Sequence, residues 1–575
     1  PSSLLYTNGT VGGIINIVDN SIAQDDVERA IKIGLESQSV NDGDTQSLFY
    51  QDNIQNINIS FSYKDSSFGN FDVPNGAIIH MEEEHHDEDE DHDEEEDHDE
   101  ENLGYLANSD FASESLKFGA STNGDWGFIG FSVASIESMY GIPFHGEEHE
   151  DEHGEEEEGE HDEHEGERIF SNTESDKFDV RGSFNIDSNL VSKVDFFIRD
   201  TDYSLTEQHA EEEEHEEEGH DEDEHEGHEE GPTTFTNDAL EAGFIFDLSN
   251  DLMSQKFALN FVNEDTSVLG SEAFMNPASR DELTFGYYIS RDISDYTLDF
   301  GVRIDRLANE GSISAAHEEE EHHDEDEGHE EEEHDEHDEH EEMETAFYDK
   351  SFNNTSLAFN IGRELNDFIS VDLGFASVER APSSIELFMN GAHLATGRFE
   401  VGNVNLQSET SNNVDLTVSI DNAGFFASAT LFANKVDNYI YLRDETEEEH
   451  EDHDEEHEED HDEHGGLILS NYLQQDADLD GYEIEFGNTM ELGSGELTMS
   501  FGRDAISGNF SSGGNIPRLN PARNIFKLKY SKDDMTLGLN FKDVEKQNDI
   551  AVNETLTAGY QMLNAKLSRT IDLGS

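Results

Sequence analysis

The stretch Tyr296–Asp305, YTLDFGVRID, sets Tyr296, Leu298, Phe300, Val302 and Ile304 against Thr297, Asp299, Gly301, Arg303 and Asp305. A period of two predicts a β-strand with one apolar and one polar face, because successive side chains leave a strand on opposite sides. The same period recurs on both sides of it. Ile57, Ile59, Phe61 and Tyr63 alternate with Asn58, Ser60, Ser62 and Lys64, and Phe178, Val180 and Phe184 with Asp179, Arg181, Ser183 and Asn185. Towards the end, Leu537, Leu539 and Phe541 alternate with Gly538, Asn540 and Lys542. From Val27 onward the chain therefore reads as all-β.

Alternation suits a soluble sandwich and a membrane barrel equally, so the choice rests on the connections. Alternate connections are tight and polar: Asn123-Gly124-Asp125, Asp187-Ser188-Asn189, Asn250-Asp251, Asn366-Asp367, Asn422-Ala423-Gly424 and Gly493-Ser494-Gly495. The others are long, and five of them carry runs rich in His, Asp and Glu, at 80–101, 145–167, 207–230, 317–344 and 444–464. Two predicted strands (113–122, 126–138) separate the first run from the second, and two more (176–186, 191–203) the second from the third. Four (233–249, 255–267, 281–293, 295–308) lie between the third and fourth, and four (346–365, 368–380, 409–421, 425–443) between the fourth and fifth. An even count returns an up-and-down meander to the same side, so all five runs should emerge from one rim. Short turns on one side and long loops on the other predict a transmembrane antiparallel up-and-down β-barrel of about 20 strands, the last at Tyr560–Leu573. No apolar stretch approaches the roughly 20 residues of a membrane-spanning helix.

The chain has 575 residues and a formal net charge of −110, with 140 acidic residues against 30 Lys and Arg. More than half of the acids and 27 of the 28 histidines lie in the five runs, which contain no Lys or Arg. Set apart from the runs, the remainder has the apolar content to fold. The acidic balance argues against nucleic acid, which requires clusters of Lys and Arg. There is no cysteine, which excludes disulfides and thiolate metal sites. Cations are the natural partners.

Neutral imidazole suits zinc, nickel and copper(II), whereas carboxylates alone suit calcium and magnesium. Solvation of an acidic loop needs no histidine, so the mixture points to a transition metal, with plain solvated acidic loops and calcium binding as the alternatives. The candidate ligands are His85, His86, His92 and His98 in the first run, His149, His153, His161 and His164 in the second, and His215, His220, His225 and His228 in the third. The fourth offers His322, His323, His329, His334, His337 and His340, and the fifth His450, His453, His457, His461 and His464. Spacings such as His334-x2-His337-x2-His340 let a flexible segment gather imidazoles and a carboxylate around one ion without fixing a geometry. Many interchangeable sites that load and release metal are expected, unlike a closed structural site. The histidine outside the runs, His393 in NGAHLATG, is a further candidate ligand, with a structural role as its alternative. Asp299 and Asp305, on polar strand faces, are candidates to line a path through the barrel, or simply to fill its lumen.

The opening PSSLLYTNGTVGGIINIVDN (Pro1–Asn20) resembles the end of the plug domain of TonB-dependent outer-membrane receptors. The match falls on Pro1, Ser2, Ser3, Leu4, Leu5, Tyr6, Gly9, Gly12, Gly13, Ile15 and Asn16. ERAPSSIELFMNGAHLATGRFEVGN (Glu379–Asn403), with Leu406 and SETSNNVDL (Ser408–Leu416), resembles the signature loop and following strand of that family. LFANKVDNYIYL (Leu431–Leu442), DADLDGYEIEF (Asp476–Phe486) and PRLNPARN (Pro517–Asn524) continue the resemblance. It implies a barrel of about 22 strands in the outer membrane of a Gram-negative cell, with the long loops extracellular. Residues 1–22 are then the end of a plug and 23–575 the barrel; the TonB-contacting segment, most of the plug and the last strands are expected to lie outside this sequence.

The resemblance leans toward the zinc-type receptors, which carry His- and acid-rich extracellular loops. It implies TonB, with its inner-membrane energising complex, and outer-membrane lipid as partners, and Zn2+, or Ni2+ or Cu2+, free or in a small complex, as the bound or transported ion. No catalytic cofactor is expected. A haem, siderophore or cobalamin cargo, or a metal-binding surface protein without transport, are the alternatives. No motif pairs a nucleophile with a base, so nothing points to an enzyme.

Overall fold

The computed structural model describes residues 1–6, 14, 17, 19–73, 104–143, 169–188, 190–209, 231–270, 273–315, 344–393, 396–445 and 467–569. Strand formation begins with β1 (Ala30–Gln38), β2 (Gly43–Ile54) and β3 (Ile57–Phe68). A small separate pair, β4 (Phe71–Asp72) and β5 (Tyr105–Leu106), flanks the first run. There follow β6 (Phe111–Gly124), β7 (Gly127–Gly141), β8 (Ile169–Asn185), β9 (Lys193–His209), β10 (Thr233–Asp247), β11 (Ser254–Leu269), β12 (Ala278–Ile293), β13 (Tyr296–Ala315), β14 (Glu344–Asn366) and β15 (Ile369–Arg380). After a short helix α1 (Ser384–Phe388) and the hairpin β16 (Asn390–His393) and β17 (Arg398–Val401) come β18 (Glu409–Asn422), β19 (Phe425–Asp444), β20 (Ile468–Leu492), β21 (Gly495–Phe510), β22 (Arg523–Lys532), β23 (Met535–Val544) and β24 (Tyr560–Arg569). All but β4 and β5 belong to one 22-stranded sheet. The hairpin joins this sheet through β17, which pairs in parallel with β20, and the other 20 strands form an antiparallel meander, as expected from the sequence.

The two faces decide between sandwich and barrel. On β13, Phe300 and Ile304 are 39% and 53% exposed, whereas Arg303 and Asp305 are 1% exposed. Apolar residues therefore face out and polar residues in, which suits a wall set in lipid and not a water-soluble sandwich. Phe486, Phe501, Phe526 and Phe541 stand directly opposite one another across β20 to β23, with ring centroids 5.3, 4.8 and 6.1 Å apart. Near the short turns Trp126, Phe184, Phe196 and Phe244 form a second outward row, as aromatic residues do at a membrane interface. Among the described residues no helix is long and apolar enough to cross a membrane, which says nothing of strands.

The inward polar groups satisfy one another. Arg303 Nε donates to Asp305 Oδ2 at 2.8 Å, and Thr284 donates to Asp305 Oδ1 at 2.8 Å and to Glu282 Oε1 at 2.9 Å. Asp299 accepts from the Tyr288 hydroxyl at 2.8 Å. Asp305 is thus a packed component of the wall. The opening segment lies against the same wall: Leu4 and Leu5 are each 3% exposed, and Asn260 Nδ2 donates to Leu5 O at 2.9 Å. Residues 21–25 then lie against β3 and β6, where Ser60 donates to Ser21 O, Ser121 to Ala23 O and Asn58 to Asp25 O. Most of the apolar stretch Ile14 to Val18 lies outside the described residues.

Every described end of a His-rich run falls on one rim. Two-residue turns such as Gln55-Asn56, Asp125-Trp126, Asp367-Phe368, Ala423-Gly424 and Ser494 with Gly493 close the other rim. The strands also run further toward the long connections than alternation predicts. Glu207 pairs with Thr233 and with Ser171, and His209 with Ile169, so the third run begins inside β9. Asp444 pairs with Ser470, and Glu344 with Ala315, so the edges of the fifth and fourth runs are strand ends too. Beyond the apolar belt neither face is lipid-exposed, so the ladder continues through polar sequence that carries no period.

Candidate functional site at the barrel mouth

The connection from β15 to β18 folds over the run-bearing rim. Ser383 caps α1: its hydroxyl accepts from Glu386 N, and Glu386 Oε2 accepts from Ser383 N at 2.8 Å. Arg380 ties the helix to the wall through Glu386 at 2.9 Å and Glu409 at 3.0 Å. Leu387, Phe388 and Met389 then bury themselves against Phe274 and Met275 of the β11–β12 connection and against Leu406 and Ile440. Each large side chain so buried contributes about 1.5–3 kcal/mol. The hairpin β16/β17 is thereby held on an apolar platform.

His393 and Glu400 lie diagonally on one face of this hairpin. His393 Nδ1 is 3.1 Å from Glu400 Oε1, and Thr396 Oγ1 donates to the same oxygen at 3.1 Å. The imidazole lies on the ring of Phe274 with centroids 4.7 Å apart. That approach needs Gly391, because a Cβ there would come within 2.8 Å of Phe274 Cα. Burial pushes the Glu400 carboxyl up, but the His393 hydrogen bond and charge outweigh it and hold it below its ordinary value. Burial, followed by the nearby Glu400 and Glu386 carboxylates, pushes the Tyr472 hydroxyl up to about 12.

The hairpin is also zipped to the strand that leaves the fifth run. Arg398, Phe399, Glu400 and Val401 pair in parallel with Ile468, Leu469, Ser470 and Asn471. The Arg398 guanidinium grips Asp444, the last residue of β19, and this hydrogen bond holds the Asp444 carboxyl low. His393 and Glu400 therefore sit at the foot of the fifth run.

The family described as "TonB dependent receptor-like, beta-barrel" matches residues 40–573. The chain belongs to this family. Its fold is that of solved receptors at low identity. The copper transporter OprC is 11% identical with a TM-score of 0.65, over 94% of this chain and 73% of that one. The Serratia marcescens hemophore receptor HasR, solved with its hemophore HasA and heme, is 10% identical with a TM-score of 0.63, over 95% and 76%. The siderophore receptor PirA from Acinetobacter baumannii is 11% identical with a TM-score of 0.64, over 100% and 78%. The receptor is thus a β-barrel of an outer-membrane family of transporters and not of enzymes.

Of the histidines singled out from the sequence, those of the runs, from His85 to His464, lie outside the described residues; His393 is described. Among the described residues no group of three or more His, Asp or Glu is gathered to hold a metal. Sequence reading missed Glu400 and Phe274 as neighbours of His393. For Glu400 the one signal was its closeness to His393 on the far side of Gly397; Phe274 is far away in sequence and left none.

Proposed function

We propose that this receptor imports a divalent transition-metal ion, zinc ahead of nickel and copper(II), across the outer membrane, energised by TonB and its inner-membrane complex. The observation that carries the reading is that the described strand ends flanking all five His- and acid-rich runs lie on one rim. On this reading that rim faces outside the cell, residues 1–22 are the end of the plug and 23–575 the barrel. Carboxylates draw cations to the mouth, and the run imidazoles, His85 to His464, capture and recapture the ion through many sites. His393, at the foot of the fifth run, is the first fixed ligand the ion meets on its way inward. The resemblance to zinc-type receptors, which carry His- and acid-rich extracellular loops, supports zinc, and a structural neighbour that is a copper transporter supports a metal cargo.

One observation favours a second reading. His393 lies against Phe274 and beside an apolar cluster, surroundings that suit a metal complex with an apolar face, such as haem, a siderophore or cobalamin, with the runs as a fringe. Radioactive zinc uptake by cells expressing the full-length gene, with and without TonB, and with the five runs replaced by Gly/Ser linkers, separates the readings. TonB-dependent accumulation that falls at low zinc when the runs are replaced supports the proposal. Surface zinc that tracks the runs without TonB-dependent uptake sinks zinc transport and leaves a metal-binding surface.

A further inference from the structure

We infer that Glu400 is a positioning residue for metal binding at the mouth, orienting His393 so that Nε2 presents its lone pair to the incoming ion; this rests on the reading of His393 as a ligand. An ionised carboxylate can only accept hydrogen bonds. With Nδ1 at 3.1 Å from Glu400 Oε1, the shared proton belongs to Nδ1, which leaves Nε2 of the neutral ring as the atom able to bind metal. A ligating histidine ordinarily donates its other N–H to a carboxylate or carbonyl, which fixes tautomer and ring orientation and raises the basicity of the ligating nitrogen.

The surroundings make Glu400 suited to that task. It is 5% exposed, so its charge acts on His393 with little screening. Thr396 Oγ1 donates to the same oxygen and fixes the carboxylate, and the parallel pairing of Glu400 with Ser470 fixes its backbone. Phe274 lies against one face of the imidazole, so the ring cannot turn away without losing that contact. A buried carboxylate aimed at one nitrogen of a part-exposed imidazole is an arrangement that hairpin stability alone does not need, since Arg398, Asp444 and the β17–β20 ladder already secure the hairpin.

The test uses the full chain with residues 80–101, 145–167, 210–230, 317–343 and 446–464 replaced by Gly/Ser linkers, so that the imidazoles and carboxylates of the runs add no background sites, and Cu2+ as a spectroscopic probe. One Cu2+ site carrying a single imidazole is expected. H393N should abolish it. E400Q should weaken it roughly tenfold to a hundredfold and shift the electron-spin-echo signal of the remote imidazole nitrogen, which reports the Nδ1 hydrogen bond. Hydrogen exchange at Arg398–Val401 should be unchanged in E400Q, which separates positioning from loss of fold. If H393N binds Cu2+ as tightly as the parent, the ligand reading falls. If H393N loses the site while E400Q keeps both affinity and spectrum, the role of Glu400 falls alone.

Discussion

Arg398 meets Asp444 at two points, Nε to Oδ1 at 2.9 Å and Nη2 to Oδ2 at 2.8 Å, and so joins the mouth hairpin to the residue from which the fifth run departs. Ser470 Oγ also donates to Asp444 Oδ1 at 2.8 Å, where the chain returns from the run. Both ends of the run are therefore tied to the hairpin that carries His393 and Glu400.

Breaking this tie should loosen the hairpin without unfolding the barrel. The pair is a two-point, charge-assisted contact, with side chains 25% and 16% exposed. After discounting for that exposure, Arg398→Ala should cost about 1 kcal/mol locally, seen as roughly fivefold faster hydrogen exchange at Arg398–Val401. The pH dependence follows from Asp444. Its carboxyl is held below the ordinary 3.8, chiefly by Arg398. A depressed carboxylate contributes its stability fully above the unfolded value and loses it as pH falls through the folded one. Exchange, corrected for its intrinsic rate, should be flat from pH 7 to 5 and rise only below about pH 4. A rise already at pH 6 would place the titration elsewhere.

The barrel was legible in the sequence because lipid and lumen impose opposite chemistries on alternate residues, as Phe300 and Arg303 show. The even strand counts located the run-bearing rim from connection length alone. Strand ends such as His209 and Ala315 were not legible, because above the apolar belt both strand faces are polar. The mouth site was half legible. His393 stood out by type, but its partners came from a hairpin too short to show a period and from a connection more than a hundred residues upstream. The wall pair of Arg303 and Asp305 was visible as two polar residues on one face, without any sign that they would neutralise each other.

Surface capture of zinc should follow imidazole titration. With ordinary values of about 6.5 for imidazole and about 4 for carboxylates, zinc retained by outer-membrane vesicles at equilibrium should fall at least several-fold between pH 7.5 and 5, and calcium retention should change little. The comparison is a direct measurement of bound metal after filtration. Equal pH profiles for the two ions would assign capture to the carboxylates.

Phe526 tests which face meets lipid. It stands between Phe501 and Phe541 and is 46% exposed. Phe526→Arg should destabilise the barrel by about 2–4 kcal/mol if it lies near the bilayer midplane. Lys527, the next residue and hence on the other face, should tolerate Gln within about 0.5 kcal/mol. Urea unfolding in lipid vesicles, followed by the gel shift of folded barrels, measures both. Similar losses at the two positions would be inconsistent with an outward Phe ladder.

Gly286 is one of the wall positions against which the opening segment rests, with Gly301 beside Pro1 as another. A Cβ there would lie 2.6 Å from Leu4 O and 2.9 Å from Leu5 Cα, and these backbone atoms cannot yield as a flexible side chain could. Gly286→Val should therefore displace Pro1–Tyr6 while leaving the β11–β12–β13 ladder in place. Leu4 and Leu5 then lose a burial that stabilises by about 1.5–3 kcal/mol each. Gly538 supplies the control, since a Cβ there would meet only Lys566 O at 3.9 Å. Limited proteolysis should cut the opening segment faster in Gly286→Val than in Gly538→Ala, with the gel shift of the folded barrel retained in both. If the segment stays equally protected in Gly286→Val, the Asn260–Leu5 and Ser60–Ser21 hydrogen bonds hold it without the close approach that the glycine permits.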